Sequence, residues 1–422
     1  MQNYHKHTDY SNALVADCAT TYNDYIKRIK ELGHKVLSSV EHGYQSNYYI
    51  PYELVVKNNQ EAKERFEKGE INLEQYEKEL LKFVFGAEAY WVRNRHEKDR
   101  SNCHIILLAK NEEGRRDINE ALSDANIDGY YGQPRVDLEL LKRIKPQNVM
   151  VTTACVKYWE YDDIDEITLE LYKHFKDNFF LEIQCHNTEQ QKNINRHIIE
   201  LHNKYGIDII FGYDSHYIYG KDSVERDNYI ATRRKNYSKS EDDEQGWYMD
   251  YPDEETIIER LKIQGVLSDE EISRCIANTD IILSFDDIHF DKNIKLPSSD
   301  LSLNQEQKNE MLKKLVYSKW NEKKQHVPKS LQQEYTDGIN YELQAIIDTG
   351  MADYFLIDYK IVQRGIKKGG IITKTGRGSG VSYYVNSLLG FSDIDRFISP
   401  VRLYPDRFMS KTRILETKSL PD

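Results

Sequence analysis

The chain has 422 residues, with 58 Lys and Arg against 70 Asp and Glu, a formal net charge of −12 at pH 7. This length predicts two or more domains. No apolar run approaches the roughly 20 residues of a transmembrane helix, and the start lacks a secretory signal pattern, so we expect a soluble, cytoplasmic protein without a membrane partner. The five cysteines are odd in number and have no zinc-finger spacing, which fits a reducing compartment.

Strand-like runs alternate with helical stretches through the first 290 residues. The strand-like runs lie at 35–40, 83–92, 104–108, 149–153, 179–184 and 209–213. Their alternation with helices predicts an α/β barrel or a layered α/β fold. Residues 55–82 are dense in Glu and Lys, with apolar residues at helical spacing and a break at Gly69, and predict an inserted helical hairpin. Residues 235–255 predict a polar loop.

The remaining residues predict a second, helical part of the chain. Helices are expected at 255–263 and 269–284, then a linker at 291–303 that contains Pro297, and then helices at 304–325 and 330–349. Residues 301–422 hold 19 basic and 14 acidic residues, which leaves 39 basic and 56 acidic residues for 1–300. The acidic first part repels DNA at long range, so the basic second part is expected to provide any hold on nucleic acid.

Nine residues of metal-binding type occur in short strand-like contexts. Taken singly, each is more often a hydrogen-bonded or buried structural residue. On a strand, residues i and i+2 face the same way, so the two HxH and DxH pairs can each direct two ligands at one centre. Mixed imidazole and carboxylate ligands suit Zn, Mn or Fe, and more than four ligands imply several ions. The candidate ligands are His5, His7, Asp17, His42, Glu88, His104, Cys155, Asp214 and His216.

The order of these motifs resembles the polymerase-and-histidinol-phosphatase (PHP) domain, and more narrowly the PHP domain that opens the alpha subunit of bacterial, C-family DNA polymerase III. The motifs are HxH, Glu-His-Gly (usually Asp-His-Gly), Gly-x-Glu-Ala-Tyr, His-x3-Leu-Ala-Lys-Asn, Thr-x-Ala-Cys and Asp-x-His-Tyr. The stretch at 179–184 also matches. The resemblance implies a distorted seven-stranded β/α barrel over residues 1–290, with 55–82 as a helical insertion.

The resemblance also implies how two to three divalent ions would be shared. One ion would take His5, His7, Glu88 and Asp214; a second Glu88, His104 and Cys155; a third Asp17, His42 and His216. Asp17 is the least regular of these, because residues 13–16 look like a small insertion relative to the family's spacing. Glu41 stands where the family usually has Asp.

A glycine-rich turn near the other end forms a second signature. Glycine-rich turns expose backbone N–H groups that bind phosphate oxygens, although an ordinary surface turn is the commoner use of Gly-Arg-Gly-Ser. With the segments around 340–357 and 404–408 it resembles the beginning of the same subunit's α+β polymerase palm, here residues 304–422. The nucleotide- or phosphate-binding candidates are Lys374, Gly376, Arg377, Gly378, Ser379 and Arg407.

The closing Pro421 and Asp422 resemble the start of the strand whose later carboxylates hold Mg²⁺ for nucleotidyl transfer in the family. We therefore expect a truncated palm, from a fragment or a split gene of bacterial or phage origin, that cannot extend a primer by itself. The resemblance implies the front of a replicative, DNA-directed DNA polymerase. Its partners would be primer-template DNA, dNTPs, and, through other regions, a sliding clamp and further replisome subunits.

The ligand chemistry predicts phosphoester hydrolysis in the barrel, and the polymerase context makes the 3′ end of DNA the expected substrate of a 3′–5′ exonuclease. Two alternatives stay open. The barrel could be a metal-stabilised scaffold without catalysis, or a free-standing PHP phosphoesterase, against which the palm-like segment argues.

Overall fold

The computed structural model describes residues 1–13, 16–44, 48–100, 103–233, 246–291, 297–372 and 378–417. The chain divides into two compact units, Met1–Phe290 and Asp291–Asp422. Within the described ranges, no helix combines the length and apolar character needed to span a membrane.

Unit 1 is built on one curled, mixed sheet. Its strands run in the order β1-β2-β3-β5-β6-β7, with β4 paired to β2. β3 is antiparallel to both β2 and β5, whereas the other pairs are parallel. The strands of the described part are β1 Val36–Ser39, β2 Lys82–Trp91, β3 Cys103–Ala109, β4 Arg135–Val136, β5 Val149–Thr153, β6 Phe179–Ile183 and β7 Ile209–Phe211.

Helices connect and cover these strands, and local sequence fixes their ends. The Asn111 side chain caps the start of α4 by accepting from Gly114 N, and Gly206 ends α7 with a φ of 70°. The helices described in unit 1 are α1 Tyr22–Leu32, α2 Tyr49–Glu67, α3 Leu73–Glu79, α4 Glu112–Ile127, α5 Leu138–Arg143, α6 Ile164–Phe175, α7 Glu189–Tyr205, α8 Ser223–Arg233, α9 Glu254–Gln264 and α10 Asp269–Asn278.

The N-terminal segment bridges the two edge strands of the sheet. Gln2 Oε1 accepts hydrogen bonds from the backbone N of Lys35 (2.8 Å) and of Val36 in β1 (3.1 Å). On the other side, His7 N donates to the carbonyl of Ser215, beyond β7, at 2.8 Å. This closure fits the PHP-type β/α barrel that the resemblance implies, and the α/β fold class is confirmed.

Two hydrophobic cores follow from the alternation of side chains along the strands. One lies between the sheet and the helices and includes Val151 and Leu181; the other lies inside the barrel and includes Val84, Phe180 and Ile210. Along β2, every second side chain faces inward, and Glu88 lies two such steps after Val84. Inward side chains therefore change from apolar to polar toward one end of the barrel.

Strand direction determines which residues reach that end. β1, β2, β5, β6 and β7 all point the same way, so residues at or after their carboxyl ends share one mouth. β3 runs oppositely, so its beginning lies at that mouth, where Tyr90 is paired with His104. His104 can therefore join residues that lie at the other ends of their strands.

In unit 2, residues 297–372 and 378–417 form helices without a strand among them. A buried carboxylate, Glu342, accepts from Arg396 Nε (2.7 Å) and from Val385 N (2.8 Å), which fixes the start of α14 against α12. The helices described are α11 Gln305–Lys324, α12 Gln332–Asp348, α13 Ala352–Lys367, α14 Tyr384–Leu388 and α15 Lys411–Thr417.

Several element predictions agree with the structure, and two differ in detail. The hairpin at 55–82 is helical, but its first helix begins at Tyr49, and the break at Gly69 has a φ of 72°. The short strand β4 has too few residues to show a period, and the sequence did not predict it. Most of the predicted loop at 235–255 and the phosphate-binding candidates Lys374, Gly376 and Arg377 lie outside the described residues.

Candidate metal centre

His5 and His7 project from the N-terminal segment into the barrel mouth, and both are fully buried. The Nε2 atoms of both rings lie 3.3 Å from Asp214 Oδ1. Within the described part of the chain, neither Nε2 has a hydrogen-bond partner. A buried nitrogen without a partner is costly unless a cation or proton meets it, so both rings have the disposition of metal ligands.

Glu88 lies at the middle of the cluster. Its oxygens lie 3.4 Å from His5 Nε2, 3.6 Å from His7 Nε2 and 3.0 Å from His104 Nδ1, and it also contacts His42 Nδ1. Burial alone would raise the pKa of Glu88, but the imidazoles of His104, His42 and His7 outweigh it and hold that pKa well below its usual value. The carboxylate is therefore ionised and can bridge two cations.

A second carboxylate, Asp17, joins His42 to His216. Asp17 Oδ2 lies 3.0 Å from His42 Nε2 and 2.7 Å from His216 Nε2, and Arg226 holds the other oxygen at 2.6 Å. Burial opposes ionisation of Asp17, yet the charges of His216 and His42 bring its pKa well below the ordinary value. Asp17, His42 and His216 are the three residues that the resemblance implies for one ion, and the structure brings them into contact.

His42 lies between both carboxylates. Burial lowers the pKa of His42, but the charge of Glu88 and hydrogen bonds to Asp17 and Glu88 raise it to about 9. The pKa of His7 falls to about 4, because burial and the charge of His42 dominate there. The pKa values of two neighbouring imidazoles are thus shifted in opposite directions, as expected where carboxylates and imidazoles share a centre.

Asp214 is positioned by an unusual backbone conformation. It follows β7 with a φ of 45°, in the left-handed region that a residue other than glycine rarely adopts. Its Oδ1 faces His5 and His7 at 3.3 Å and lies 3.7 Å from His216 Nδ1. This turn brings one carboxylate within reach of three imidazoles.

The structure gathers seven of the nine candidate ligands into three overlapping groups in which the ligand atoms lie within 4.8 Å of one another. These groups are His5, His7 and Asp214; His7, His42 and His216; and His42, Glu88 and His104. The groups share members but differ from the three sets that the resemblance implies. The donor set fits divalent ions, because ionised carboxylates and unpartnered imidazole nitrogens converge in a buried site.

Cys155 lies beside this cluster without belonging to one of the three groups among the described residues. It follows β5, and its Sγ accepts a hydrogen bond from His104 N at 3.1 Å. Cys155 therefore contacts the backbone of a candidate ligand and also interacts with the imidazole of that residue, at the edge of the centre.

Two carboxylates missed as functional residues orient the imidazoles from behind. Glu182 in β6 accepts from His5 Nδ1 at 2.8 Å, and Glu41 contacts Ser11, whose Oγ lies 3.0 Å from His7 Nδ1. A carboxylate on the rear nitrogen fixes the tautomer of a metal-binding imidazole. Glu182 could have been found from the alternation Phe180, Glu182, which puts a carboxylate on a face that is otherwise apolar.

The described part of the glycine-rich turn begins at Gly378, which has a φ of 75°. Ser379 Oγ is buried and has no hydrogen-bond partner among the described residues. The ring of Phe408 approaches within 3.8 Å of where a Cβ of Gly380 would stand, so the turn lies near the segment of Arg407. Phosphate binding by Gly378, Ser379 and Arg407 stays a prediction.

Comparison with known proteins agrees with both parts of the chain. The PHP domain model matches residues 3–186, and the model of the bacterial DNA polymerase III alpha NTPase domain matches residues 310–422. DNA polymerase III subunit alpha of Aquifex aeolicus is 25% identical over 452 residues, which cover 94% of this chain and 35% of that protein. The same subunit of Borreliella burgdorferi is 26% identical, over 99% of this chain and 34% of that protein.

The chain thus spans about a third of the length of the curated relatives it matches. Over nearly its whole length the chain is similar to DNA polymerase III alpha subunits, with a match to the PHP domain model followed by a match to the NTPase domain model.

Proposed function

We propose that unit 1 is a metal-dependent phosphoesterase that removes nucleotides from the 3′ end of DNA. The observation that carries this proposal is the convergence of four imidazoles on Glu88, with His5 and His7 keeping unpartnered nitrogens beside Asp214. A purely structural site needs only a closed set of about four ligands around one ion. This cluster has more donors than one ion can use.

Two to three divalent ions, of Zn, Mn or Fe, would be held by His5, His7, Asp17, His42, Glu88, His104, Cys155, Asp214 and His216. When bound, clustered ions activate water and neutralise the charge of a phosphate ester. The protein's own part is to supply ionised carboxylates and to fix the imidazoles. Glu88 and Asp214 have low pKa values, because the surrounding imidazoles outweigh their burial, and both therefore stay charged at neutral pH.

For the protein as a whole we propose DNA-directed DNA synthesis with Mg²⁺, on primer-template DNA and dNTPs, as in the relatives that carry the name DNA polymerase III subunit alpha. In this proposal the turn from Lys374 to Ser379, with Arg407, holds nucleotide phosphates. A sliding clamp and other replisome subunits would be its partners. The net positive charge of residues 301–422 favours DNA contacts there over the acidic barrel.

The exonuclease proposal is tested on the whole chain with Mn²⁺ and a 3′-mismatched primer. The wild type should shorten the 3′ end one nucleotide at a time, and Asp214→Asn should abolish this, because the amide keeps the shape but loses the charge that attracts the ions. Asp162→Asn, at an exposed position, is the matched control and should digest DNA like the wild type. Digestion that persists undiminished in Asp214→Asn and His216→Ala would come from a contaminant.

A metal-stabilised scaffold is the second candidate, favoured by the complete burial of His5 and His7. It predicts metal-loaded protein that leaves every DNA end intact, while Asp214→Asn still loses metal and thermal stability. A free phosphoesterase predicts instead that the loaded protein hydrolyses small phosphomonoesters and spares DNA. The wild type, Asp214→Asn and Asp162→Asn, each assayed on DNA ends and on small phosphomonoesters, therefore distinguish all three functions.

A further inference from the structure

One buried imidazole at the barrel mouth belongs to none of the nine candidate ligands. His186 is 1% exposed and lies three residues beyond the end of β6. Its Nε2 is buried and has no hydrogen-bond partner within the described ranges. Among the described residues, only two other histidines, His5 and His7, have a buried ring nitrogen without a hydrogen-bond partner, and both lie in the metal cluster.

The backbone places His186 on the same face as the cluster. Along β6 and beyond, Leu181 and Cys185 pack in the outer core, whereas Glu182 and Gln184 face inward, with Gln184 Nε2 donating to Glu182 Oε1 at 2.9 Å. His186 lies two residues further on, beyond the end of the strand, where the charges of Asp214, His216 and His5 act on its ring. Glu182 in turn holds a candidate ligand, so this stretch leads from the support of the centre toward its mouth.

A second contact ties His186 to the cluster from the other side. The segment 246–249 lies against it, with the ring of Trp247 4.5 Å from the ring of His186 and Tyr248 N donating to His186 Nδ1 at 3.0 Å. The next residue, Met249, accepts from His216 N at 2.8 Å. His186 and His216 are therefore held by adjacent residues of one segment.

This arrangement decides which ring nitrogen carries the proton. Since Nδ1 accepts the hydrogen bond of Tyr248 N, it has a free lone pair, and the neutral ring must carry its proton on Nε2. Burial keeps the ring neutral, lowering the pKa of His186 to about 4 although the charge of Asp214 acts in the opposite direction. A protonated Nε2 cannot bind a metal ion, but it can donate a hydrogen bond.

We propose that His186 is a substrate-binding residue whose Nε2–H donates to a non-bridging phosphate oxygen of the ester held at the metal cluster. The inference rests on the proposed function and deepens it by naming the group that receives the phosphate. A phosphate oxygen fits this position because it is an anionic hydrogen-bond acceptor. The metal cluster would attract the phosphate but offers it no free N–H donor, so the donor must come from a residue that is not a ligand. Packing against Trp247 explains the burial of the ring, but leaves its N–H without an acceptor.

The test uses the full chain loaded with Mn²⁺ and inorganic phosphate as the probe. His186→Phe keeps the ring volume and removes the donor, whereas His186→Gln keeps an N–H near the position of Nε2. Calorimetric titration should show phosphate binding about tenfold weaker in His186→Phe and within about threefold of the wild type in His186→Gln, since a hydrogen bond to a charged group is worth about this much. Metal content should be the same in all three proteins.

His96→Gln, at an exposed histidine, is the matched control and should bind phosphate like the wild type. If His186→Phe keeps its metal and binds phosphate with wild-type affinity, or if the loaded wild type binds no phosphate, the inference is wrong. Should His186→Phe fail to fold, nitrogen-15 spectra of the Zn²⁺-loaded wild type decide. Phosphate must then shift the Nε2–H signal of His186, and an unmoved signal overturns the assignment.

The outcome is separable from that of the proposed function. A wild type that leaves DNA ends intact, but binds phosphate through His186, refutes the exonuclease and keeps this donor. If the wild type and His186→Phe digest 3′ ends equally well, with the same Michaelis constant and the same phosphate affinity, the donor role of His186 is refuted and the exonuclease proposal stands.

Discussion

Replacing Glu182 by Gln tests whether the metal centre depends on residues behind the ligands. Glu182 is 1% exposed, and four donors converge on its carboxylate: Tyr4 OH at 2.6 Å, His5 Nδ1 at 2.8 Å, Gln184 Nε2 at 2.9 Å and Thr152 Oγ1 at 3.4 Å. A carboxylate can accept from all of them, whereas one end of an amide is itself a donor. Whichever way the amide of Glu182→Gln is turned, at least one of these donors faces an N–H group.

The magnitude follows from these contacts. An unsatisfied buried donor costs about 1 to 3 kcal/mol of unfolding free energy. The metal affinity should fall by about 10- to 100-fold, which corresponds to roughly 1.4 to 2.8 kcal/mol, because His5 loses the acceptor that keeps its Nε2 lone pair directed at the ion. The affinity loss should be the clearer of the two effects, since it reports on His5 directly.

Competition with a chromophoric chelator measures the affinity, and elemental analysis measures how many ions remain bound. Glu120→Gln, at an exposed position of α4, is the matched control and should leave both unchanged. If Glu182→Gln binds metal with wild-type affinity while it is destabilised, then Glu182 serves packing alone and the argument from the rear nitrogen of His5 is refuted.

Three further predictions concern stability. A Cβ at Gly212 would lie 2.1 Å from the Glu182 carboxyl carbon, so Gly212→Ala should displace that carboxylate and lower metal content and melting temperature together. The Nδ1 atom of His34 lies 2.7 Å from a tyrosine hydroxyl, and its pKa is lowered to about 4, mainly by burial. As pH falls from 6.5 to 4 the unfolded chain therefore takes up the proton first, and up to about 3 kcal/mol of unfolding free energy should be lost. Denaturant unfolding at several pH values should show a smaller pH dependence in His34→Asn. In unit 2, Arg396→Met leaves Glu342 buried without its cation and should cost about 3 kcal/mol in denaturant unfolding.

Matched variants separate these effects from general damage. Gly220→Ala adds the same methyl group where no atom lies within 4 Å and should leave metal content and melting temperature unchanged. Lys319→Met removes a cation from a more exposed pair, with Glu322, and should change stability by less than about 1 kcal/mol. Equal losses in Arg396→Met and Lys319→Met would contradict the importance of the buried carboxylate.

The sequence was most informative where ligand types recur at a strand period. His5 with His7, and Asp214 with His216, were predicted to converge, and the structure brings both pairs to one barrel mouth. The strand-like runs also match the strands to within a few residues, apart from β4. These features depend on local geometry, which a period of two expresses directly.

Features that depend on distant pairing could not be read in the same way. The antiparallel direction of β3, which brings His104 to the mouth from the beginning of its strand, follows from its pairing with β2 and β5. Arg226 on α8 lies 2.6 Å from Asp17 although 209 residues separate them. Neither contact leaves a periodic signal in the sequence.

His186 was missed for a related reason. It lies beyond the end of β6, and its neighbour Cys185 belongs to the outer core. Its unpartnered nitrogen becomes visible only when the segment 246–249 is packed against it. A buried histidine in isolation is commonly a satisfied core residue, and only the contact of Tyr248 N with Nδ1 shows which nitrogen is left over.

Ligand variants alone cannot separate a nuclease from a scaffold, because the same side chains would serve both. Removing the charge of Glu88 or Asp214, which offsets several buried imidazoles, lowers metal content and thermal stability together whichever function is correct. A variant of His186 can separate the effect on substrate binding from the effect on metal binding. His186 contacts the centre's surroundings without serving as a ligand, so a change in phosphate affinity at constant metal content would show that the cluster is arranged around a substrate as well as around its ions.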